Sequence, residues 1–304
     1  MTTVRSLSDA REVPAEGDET LLAALVRAGV AVAHACGGHA RCSTCRVRVV
    51  EGLARCSPRT EPERAIADRL GLDESVRLAC QTRCDGDVTV RRLVLDPEDG
   101  ELTRQFTARP HKGTMGREAH VAVLFADVAG FTSLSERLPA YDVVHVLHRW
   151  FHLATTEVER HGGRVDNYMG DGLLAVFGAD APVDPLEPVR AALALLHAAD
   201  GMEAYLRAAY GEPFAVRVGV HAGDVVVGTP TPWHRERDTV IGDVVNFASR
   251  IEAANKELGS RCLVSDAVHA PVRDRVRVGR QVELPIRGKQ GTHVLHELLG
   301  LTDS

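Results

Sequence analysis

The sequence contains no run of about 18 apolar residues, which is the length that a membrane-spanning helix requires. It also opens without the charged and apolar pattern of a signal peptide. We therefore predict a cytoplasmic protein with no membrane insertion. The net charge is −6, and the basic residues form no patch suited to nucleic acid, so nucleic-acid binding is not expected.

Lysine is scarce, since only three of the 36 basic residues are lysines: Lys112, Lys256 and Lys289. The seven cysteines are an odd number in a chain with no export signal, which argues against a framework of disulfides. The composition, with 44% hydrophobic and 26% charged residues, is that of an ordinary globular protein. A length of 304 residues suggests two domains.

Four of the cysteines form a spaced pattern, C-x5-C-x2-C with a distant fourth, at Cys36, Cys42, Cys45 and Cys80. A two-iron cluster needs four thiolates, and plant-type loops supply them as C-x4-C-x2-C plus a distant cysteine. Gly37 and Gly38 would let backbone N–H groups approach the cluster sulfurs. A zinc ribbon is the alternative, but such ribbons usually carry two C-x2-C pairs, and only one is present.

The longer first gap, the Gly-rich loop and the segment Leu78-Ala-Cys80-Gln81 resemble vertebrate-type and related bacterial [2Fe-2S] ferredoxins. The resemblance implies a β-grasp domain over residues 1–95 that holds one [2Fe-2S] cluster through the four cysteines. Cys84 could replace Cys80 as the fourth ligand, but Cys80 occupies the family's position. The redox partner is not identified by the sequence. Residues 96–118 are polar and contain proline and glycine, so we predict a linker.

A second group of motifs follows the linker. His120 to Thr132 (HVAVLFADVAGFT) predicts a buried strand that ends on Asp127 beside a turn. Taken alone, Asp127 could equally serve only to start that turn. Gly162 to Phe177 predicts a hairpin with Asp171 in its Gly-Asp-Gly turn. Two carboxylates brought together would repel each other unless divalent cations lie between them, so the motifs indicate a site for divalent cations.

Hydrophobic periodicity predicts further helices and strands. The helices are expected at Thr20 to Val30, Tyr141 to Arg160, Val189 to Ala209 and Asn246 to Leu258. We also predict a strand at Arg46 to Val50, a strand pair at Phe214 to Gly228 and closing strands within Val282 to Leu298.

The carboxylate motifs, with Arg217 to Gly228 (RVGVHAGDVVVG) and Asp238 to Arg250 (DTVIGDVVNFASR), resemble the class III nucleotidyl cyclase catalytic domain. The resemblance covers about 180 residues in the family's order of motifs. It implies an α+β chain in which residues 119–301 form a ferredoxin-like, palm-type βαββαβ domain. It also implies a homodimer, because the family takes its metal carboxylates from one subunit and its catalytic Asn and Arg from the other.

The resemblance assigns roles to individual residues. Two Mg²⁺ or Mn²⁺ ions per site would be held by Asp127, Asp171 and the Val128 carbonyl. Asn246 would orient the ribose, and Arg250 would neutralise charge on the α-phosphate. The turn at Phe131 and Thr132 would cradle phosphate, and Arg287 stands where the family commonly has a phosphate-binding lysine.

Two positions bear on the choice of purine. Asn167 replaces the lysine that adenylyl cyclases usually carry there, and Thr239 occupies the partner position, which is Asp or Thr in the family. The Glu and Cys typical of guanylyl cyclases are absent. We therefore predict an adenylate cyclase that converts ATP to cyclic AMP and pyrophosphate and is modulated by the cluster. The alternative is an electron-transfer ferredoxin whose cyclase-like module binds nucleotide without cyclising it, or uses GTP.

Overall fold

The structure, a computed structural model, describes residues 2–94, 116–228, 239–286, 289 and 291–302. The chain divides into two compact units between Arg117 and Glu118, and each unit is described separately. Asp238, Arg287 and residues 96–115 of the predicted linker lie outside the described residues. Among the helices that are described, none is both long enough and apolar enough to cross a membrane.

The N-terminal unit is built on a five-stranded sheet in the order β2-β1-β5-β3-β4, with β1 parallel to β5 and the other pairs antiparallel. Its elements are β1 (Thr2–Ser6), β2 (Arg11–Ala15), α1 (Leu21–Arg27), β3 (Arg46–Glu51), α2 (Glu61–Leu70), β4 (Val76–Leu78) and β5 (Val88–Arg92). This mixed sheet with α1 packed on it is the predicted β-grasp. The predicted helix and strand of this unit, α1 and β3, are confirmed.

Helix α1 begins where Thr20 caps it, since the Thr20 side chain accepts a hydrogen bond of 3.2 Å from the Ala23 N–H. Its buried face, which includes Leu21 and Leu25, joins the valines of the sheet in one core. The residues between α1 and β3 form no regular helix or strand. The sheet thus carries an irregular loop, held at both ends by core packing, that contains the first three cysteines of the motif.

The second unit contains an eight-stranded sheet among its described residues. Its elements are β6 (Arg117–Val128), α3 (Phe131–Arg137), α4 (Ala140–Arg160), β7 (Gly163–Met169), β8 (Gly172–Phe177), α5 (Glu187–Tyr210), β9 (Val216–Gly228), β10 (Thr239–Ile241), α6 (Asp243–Leu258), β11 (Cys262–Ser265), α7 (Asp266–His269), β12 (Val276–Pro285) and β13 (Thr292–Leu301). The strand order β12-β13-β11-β9-β6-β8-β7 contains the βαββαβ core as β9-β6-β8-β7, with β10 paired to β9. The predicted palm-type fold is confirmed.

The two faces of this sheet are covered by different helices. Side chains alternate along each strand, so Leu124 and Ala126 of β6 face the core that contains Trp150 and Leu195 of α4 and α5. Val123 faces the other core, which contains Val244 and Ala248 of α6. The alternation therefore puts Asp127 on the α6 side of the sheet.

The expected strand pair at Phe214 to Gly228 is wrong, because β9 is one continuous strand over Val216–Gly228. Its glycines make room for a helix. A Cβ added at Gly219 would lie 2.2 Å from the Glu252 backbone nitrogen, and one at Gly223 would lie 2.8 Å from the Val244 side chain. Helix α6 thus packs directly on the backbone of β9.

Replacing Gly219 by alanine should therefore push α6 away from the sheet. We expect Gly219→Ala to lower the free energy of unfolding by about 3 kcal/mol, since the new methyl group meets backbone atoms that cannot rotate away. Differential scanning calorimetry of the full chain would measure it. The matched control is Gly201→Ala in α5, where nothing lies within 4 Å and alanine should stabilise the helix by about 0.5–1 kcal/mol. Equal midpoints for the two variants would contradict the close packing.

Candidate active site and cluster loop

The four motif cysteines lie together at the end of the β-grasp sheet. The Cys36 thiol interacts with that of Cys42, Cys45 interacts with Cys80, and Cys36 also lies within electrostatic reach of Cys80. The hydrogen bond from Cys42 lowers the pKa of Cys36 to about 4, assisted by N–H groups of the loop backbone. Likewise the Cys45 hydrogen bond lowers the pKa of Cys80 to about 7. Four converging thiols, two of them readily ionised, are a donor set suited to an iron–sulfur cluster.

Backbone N–H groups line the loop, as its glycine content predicts. Those of Gly38, His39 and Arg41 donate to the Cys36 sulfur, and that of Ala40 donates to Cys80. The backbone turns inward through positive φ angles of 70° at Gly37, 88° at Gly38 and 53° at Ala40. Donors that face thiolate sulfurs stabilise negative charge on a bound cluster, so the loop fits a [2Fe-2S] group.

Cys84 lies elsewhere. Its Sγ is 3.7 Å from that of Cys56, and it takes no part in the thiol contacts of the four motif cysteines. The choice of Cys80 over Cys84 as the fourth ligand stays a prediction, and this geometry favours it.

Asp127 and Asp171 are brought together by the antiparallel pairing of β6 with β8. Asp127 is the last residue but one of β6, and Asp171 lies in the hairpin turn between β7 and β8. Gly172 permits the approach, because a Cβ there would lie 3.0 Å from Asp127 Oδ1. Burial, followed by the charge of Asp171, raises the pKa of Asp127 to about 6. The two carboxylates therefore form a site that favours bound cations.

Two charged residues that the sequence analysis did not single out share this site. Arg217 of β9 lies on the same sheet face as Asp127, and its charge acts on both Asp127 and Glu252 of α6. Burial, followed by the charge of Asp127, raises the pKa of Glu252 to about 7. Glu252 Oε1 is buried without a hydrogen-bond partner among the described residues. The sequence does contain a signal for Arg217. In RVGVHAG, side chains alternate between the two faces of the strand, and Arg217 lies on the face opposite to the buried valines.

The predicted phosphate turn follows the carboxylate strand. Gly130, at φ 74°, is the N-cap of α3, and Phe131 and Thr132 lie in the first turn of that helix. The first N–H groups of a helix lack intrahelical partners and point outward. The Val128 side chain is buried on the face opposite to Asp127. Its carbonyl as a metal ligand stays a prediction.

Asn246 and Arg250 lie one turn apart on α6, away from the residues by which α6 packs on the sheet. Neither side chain makes a hydrogen bond or ion pair within the described part of the chain, and Asn246 is exposed. The structure thus does not join them to the aspartates of the same subunit. The sequence analysis suggested no role for Lys289. Its side chain pairs with Asp243 of α6, and its Nζ lies 5.0 Å from the ring centroid of Phe247 on that helix. Arg287 lies outside the described residues.

The two purine positions lie near each other. Thr239 of β10 donates a hydrogen bond to Asp166, the residue before Asn167. A bulge in the pairing of β7 with β8 lies between Val165 and Asn167. Arg164 also contacts Asp166, at 3.3 Å. Asp166 is an acceptor that the sequence analysis missed, since nothing local distinguished it from other strand aspartates.

Residues 114–297 match the family model of the adenylate and guanylate cyclase catalytic domain. The chain belongs to this family. Residues 5–85 match the 2Fe-2S iron-sulfur cluster binding domain, so a cyclase domain is preceded by a ferredoxin-type domain.

The cyclase-family chain is also similar to individual proteins. It is 32% identical over 208 residues to adenylate cyclase 1 of Rhizobium meliloti, an alignment that spans 66% of this chain and 31% of that protein. It is 39% identical over 165 residues to an uncharacterized protein of Mycobacterium tuberculosis, spanning 53% of this chain and 29% of that one. The chain thus spans about a third of the length of these curated relatives.

Solved structures include cyclases of both purine types. The guanylyl cyclase Cya2 has a TM-score of 0.58 and 28% identity, covering 62% of this chain and 96% of that one. The adenylyl cyclase CyaB of P. aeruginosa has a TM-score of 0.56 and 25% identity, with the same coverage. The likenesses support a nucleotide cyclase domain and leave the purine open.

The raised pKa of Asp127 predicts that the ionised carboxylate, which is the form that binds cations, lowers the stability of the fold. Because its pKa in the folded state is above the ordinary 3.8, at about 6, ionised Asp127 destabilises the fold at neutral pH, and this cost disappears as the pH falls through 6 towards 4. Without divalent cations, Asp127→Asn should stabilise the chain at pH 8 by about 1 kcal/mol, allowing for solvent screening, and by nothing below about pH 4.

Thermal unfolding at both pH values would measure the effect, and Mn²⁺ should stabilise the wild type but not the variant. Asp274→Asn, at a position whose side chain is 93% exposed, is the control and should change neither quantity. A variant less stable than the wild type at pH 8 would contradict the raised pKa of Asp127.

Proposed function

We propose that the chain is an adenylate cyclase that converts ATP to 3′,5′-cyclic AMP and pyrophosphate. The observation that carries the proposal is the convergence of Asp127 and Asp171 with a raised pKa at Asp127, which favours bound cations. Family membership supports cyclisation of a nucleoside triphosphate. Localisation in the cytoplasm belongs to the same proposal.

Each residue of the site has a separate role in the proposed reaction. Two Mg²⁺ or Mn²⁺ ions, when bound, would lower the pKa of the ribose 3′-hydroxyl and neutralise the triphosphate. Asp127 and Asp171 would hold them, and Arg217 limits the net negative charge of the two carboxylates. Phe131 and Thr132 offer helix N–H groups to phosphate. Burial keeps part of Glu252 protonated near neutrality, since its pKa is about 7, so that the empty site carries less charge.

A homodimer would complete the site. Asn246 orients the ribose, and Arg250, with Arg287 and Lys289, supplies positive charge to the phosphates from the second subunit. One support is Asn246, whose side chain is exposed and makes no hydrogen bond within the described residues. Another is a set of exposed apolar side chains near the β7–β8 hairpin and before α6. These are Tyr168 at 47%, Met169 at 42% and Ile241 at 49%. Such residues suit burial against a second copy.

Mixing two inactive variants tests the division between subunits. We expect Asp171→Ala and Arg250→Ala each to reduce cyclic AMP formation with Mn²⁺ by at least about 100-fold. Mixed after subunit exchange, they should recover about a quarter of the wild-type rate, because half of the dimers are mixed and each holds one intact site.

Asp171→Ala mixed with Asp127→Ala is the matched control and should recover nothing, since both changes affect the same half of the site. Equal rates in both mixtures would refute a site shared between subunits. Unchanged activity of Asp171→Ala alone would remove the proposed metal site.

GTP is the second candidate substrate, because of Asp166. The guanine edge presents N–H donors that a carboxylate accepts, whereas adenine also needs a donor, which Asn167 can supply. The Asp166 carboxylate is already engaged by Thr239 and Arg164, so we favour ATP. Parallel assays of the purified chain with ATP and with GTP, scoring both cyclic products, decide between them.

We further propose that one [2Fe-2S] cluster per chain, bound by Cys36, Cys42, Cys45 and Cys80, modulates cyclase output. The support is the covalent joining of the two domains. Cyclic AMP formation should therefore differ by at least about twofold between the chain with the cluster oxidised and the chain with it reduced or removed. Cys80→Ser, which should lose the cluster, is the genetic counterpart. Identical rates in all states would end this part of the proposal.

A further inference from the structure

The N-terminal unit holds a second pair of cysteines outside the cluster loop. The Sγ atoms of Cys56 and Cys84 lie 3.7 Å apart. Cys56 follows a 3-10 turn at Leu53–Arg55, and Cys84 precedes β5. Both are partly exposed, and both pack at the edge of the domain core.

The backbone holds these two residues directly opposite each other. Cys56 and Cys84 form an isolated antiparallel bridge. It is flanked by hydrogen bonds of 2.8 Å from Ser57 N–H to the Arg83 carbonyl and 3.0 Å from Asp85 N–H to the Arg55 carbonyl. This is the pattern of a non-hydrogen-bonded pair, whose Cα atoms typically lie about 4.5 Å apart. Disulfides accept Cα separations of about 4.4–6.8 Å, so the sulfurs can join without backbone movement.

A buried cation faces the pair. Arg77 is held by Glu63 through two hydrogen bonds of 2.9 Å and by the Ser57 carbonyl at 2.9 Å. The hydrogen bond with Cys84, together with the charge of Arg77, lowers the pKa of the Cys56 thiol. Burial of the thiol, followed by the charges of Glu63 and Asp85, acts in the opposite direction. A thiolate is the nucleophile in thiol–disulfide exchange, so Cys56 is the attacking sulfur of the pair.

We propose that Cys56 and Cys84 form a reversible disulfide, a two-electron redox site separate from the cluster, which closes by exchange with a low-molecular-weight disulfide RSSR. The Cys56 thiolate attacks one sulfur of RSSR and expels RS⁻. The Cys84 thiolate then attacks the Cys56 sulfur of the mixed disulfide and expels the second RS⁻. The two protein thiols lose two electrons and two protons, and RSSR gains them to become two RSH.

The closed form would tie two segments of the domain together across 28 residues of sequence, just beyond the predicted ligand Cys80. A cross-link of this kind restricts the unfolded chain. The cluster-loaded chain with the disulfide closed should therefore lose its visible absorbance at a temperature several degrees higher than the open form.

The chain itself allows a clear test. Trypsin would release Cys56 in residues 56–59 (CSPR), Cys84 in residues 84–91 (CDGDVTVR) and Cys80 in the separate peptide 78–83 (LACQTR). The cluster-loaded full chain is equilibrated with oxidised and reduced glutathione as the disulfide couple, quenched with a maleimide and digested. We expect a linked peptide 56–59/84–91 that increases with the proportion of oxidised glutathione and disappears on reduction.

Single variants give the controls. Cys84→Ser should stop the exchange at the mixed disulfide, so glutathione remains on peptide 56–59, while the cluster spectrum is unchanged. Cys56→Ser should give no linked peptide and also keep the cluster. The proposal is overturned if both thiols of the wild type stay free in fully oxidised glutathione. It is equally overturned if Cys84 links to peptide 78–83, or if Cys84→Ser loses the cluster, which would make Cys84 an iron ligand.

Discussion

The burial of one carboxylate beside another is the constraint on which the candidate cyclase site depends. The pairing of β6 with β8 brings Asp127 to Asp171, and burial makes ionisation of Asp127 costly enough to raise its pKa to about 6. A fold selected only for stability would avoid this arrangement. The surrounding sheet tolerates it because its two apolar cores are large and because Arg217 lies on the same face. Cations bound between the two carboxylates would remove the repulsion.

In the ferredoxin-type domain, backbone N–H groups stabilise negative charge on closely spaced side chains. Four thiols converge, and N–H groups of Gly38, His39, Ala40 and Arg41 donate to the sulfurs of Cys36 and Cys80. Such donors can face inward only because Gly37, Gly38 and Ala40 adopt positive φ angles. The second cysteine pair differs in kind, since Cys56 and Cys84 are placed by strand pairing and faced by Arg77.

The positive side chains that we assign to the nucleotide site lie in two places. Arg217 lies among the carboxylates, and Arg250 lies on the outer side of α6. Lys289, from the segment between β12 and β13, pairs with Asp243 in the first turn of that helix. Because Asn246 and Arg250 do not contact the aspartates of their own subunit, a shared site is the arrangement in which every one of these groups could meet a nucleotide. The chain has only three lysines, and the structure places one of them, Lys289, beside α6, which the sequence context did not suggest.

The sequence by itself determined the two domain types, the βαββαβ core, the Gly-Asp-Gly hairpin and the cysteine spacing. These depend on local backbone preferences and on the order of motifs along the chain. Sequence reasoning failed at β9, where glycines leave room for a helix that is distant in sequence. Only the tertiary structure decided that Arg217 and Glu252 join the aspartates, that Thr239 is bound to Asp166, and that Cys84 faces Cys56. Strand order and helix packing set these contacts, and no local pattern encodes them.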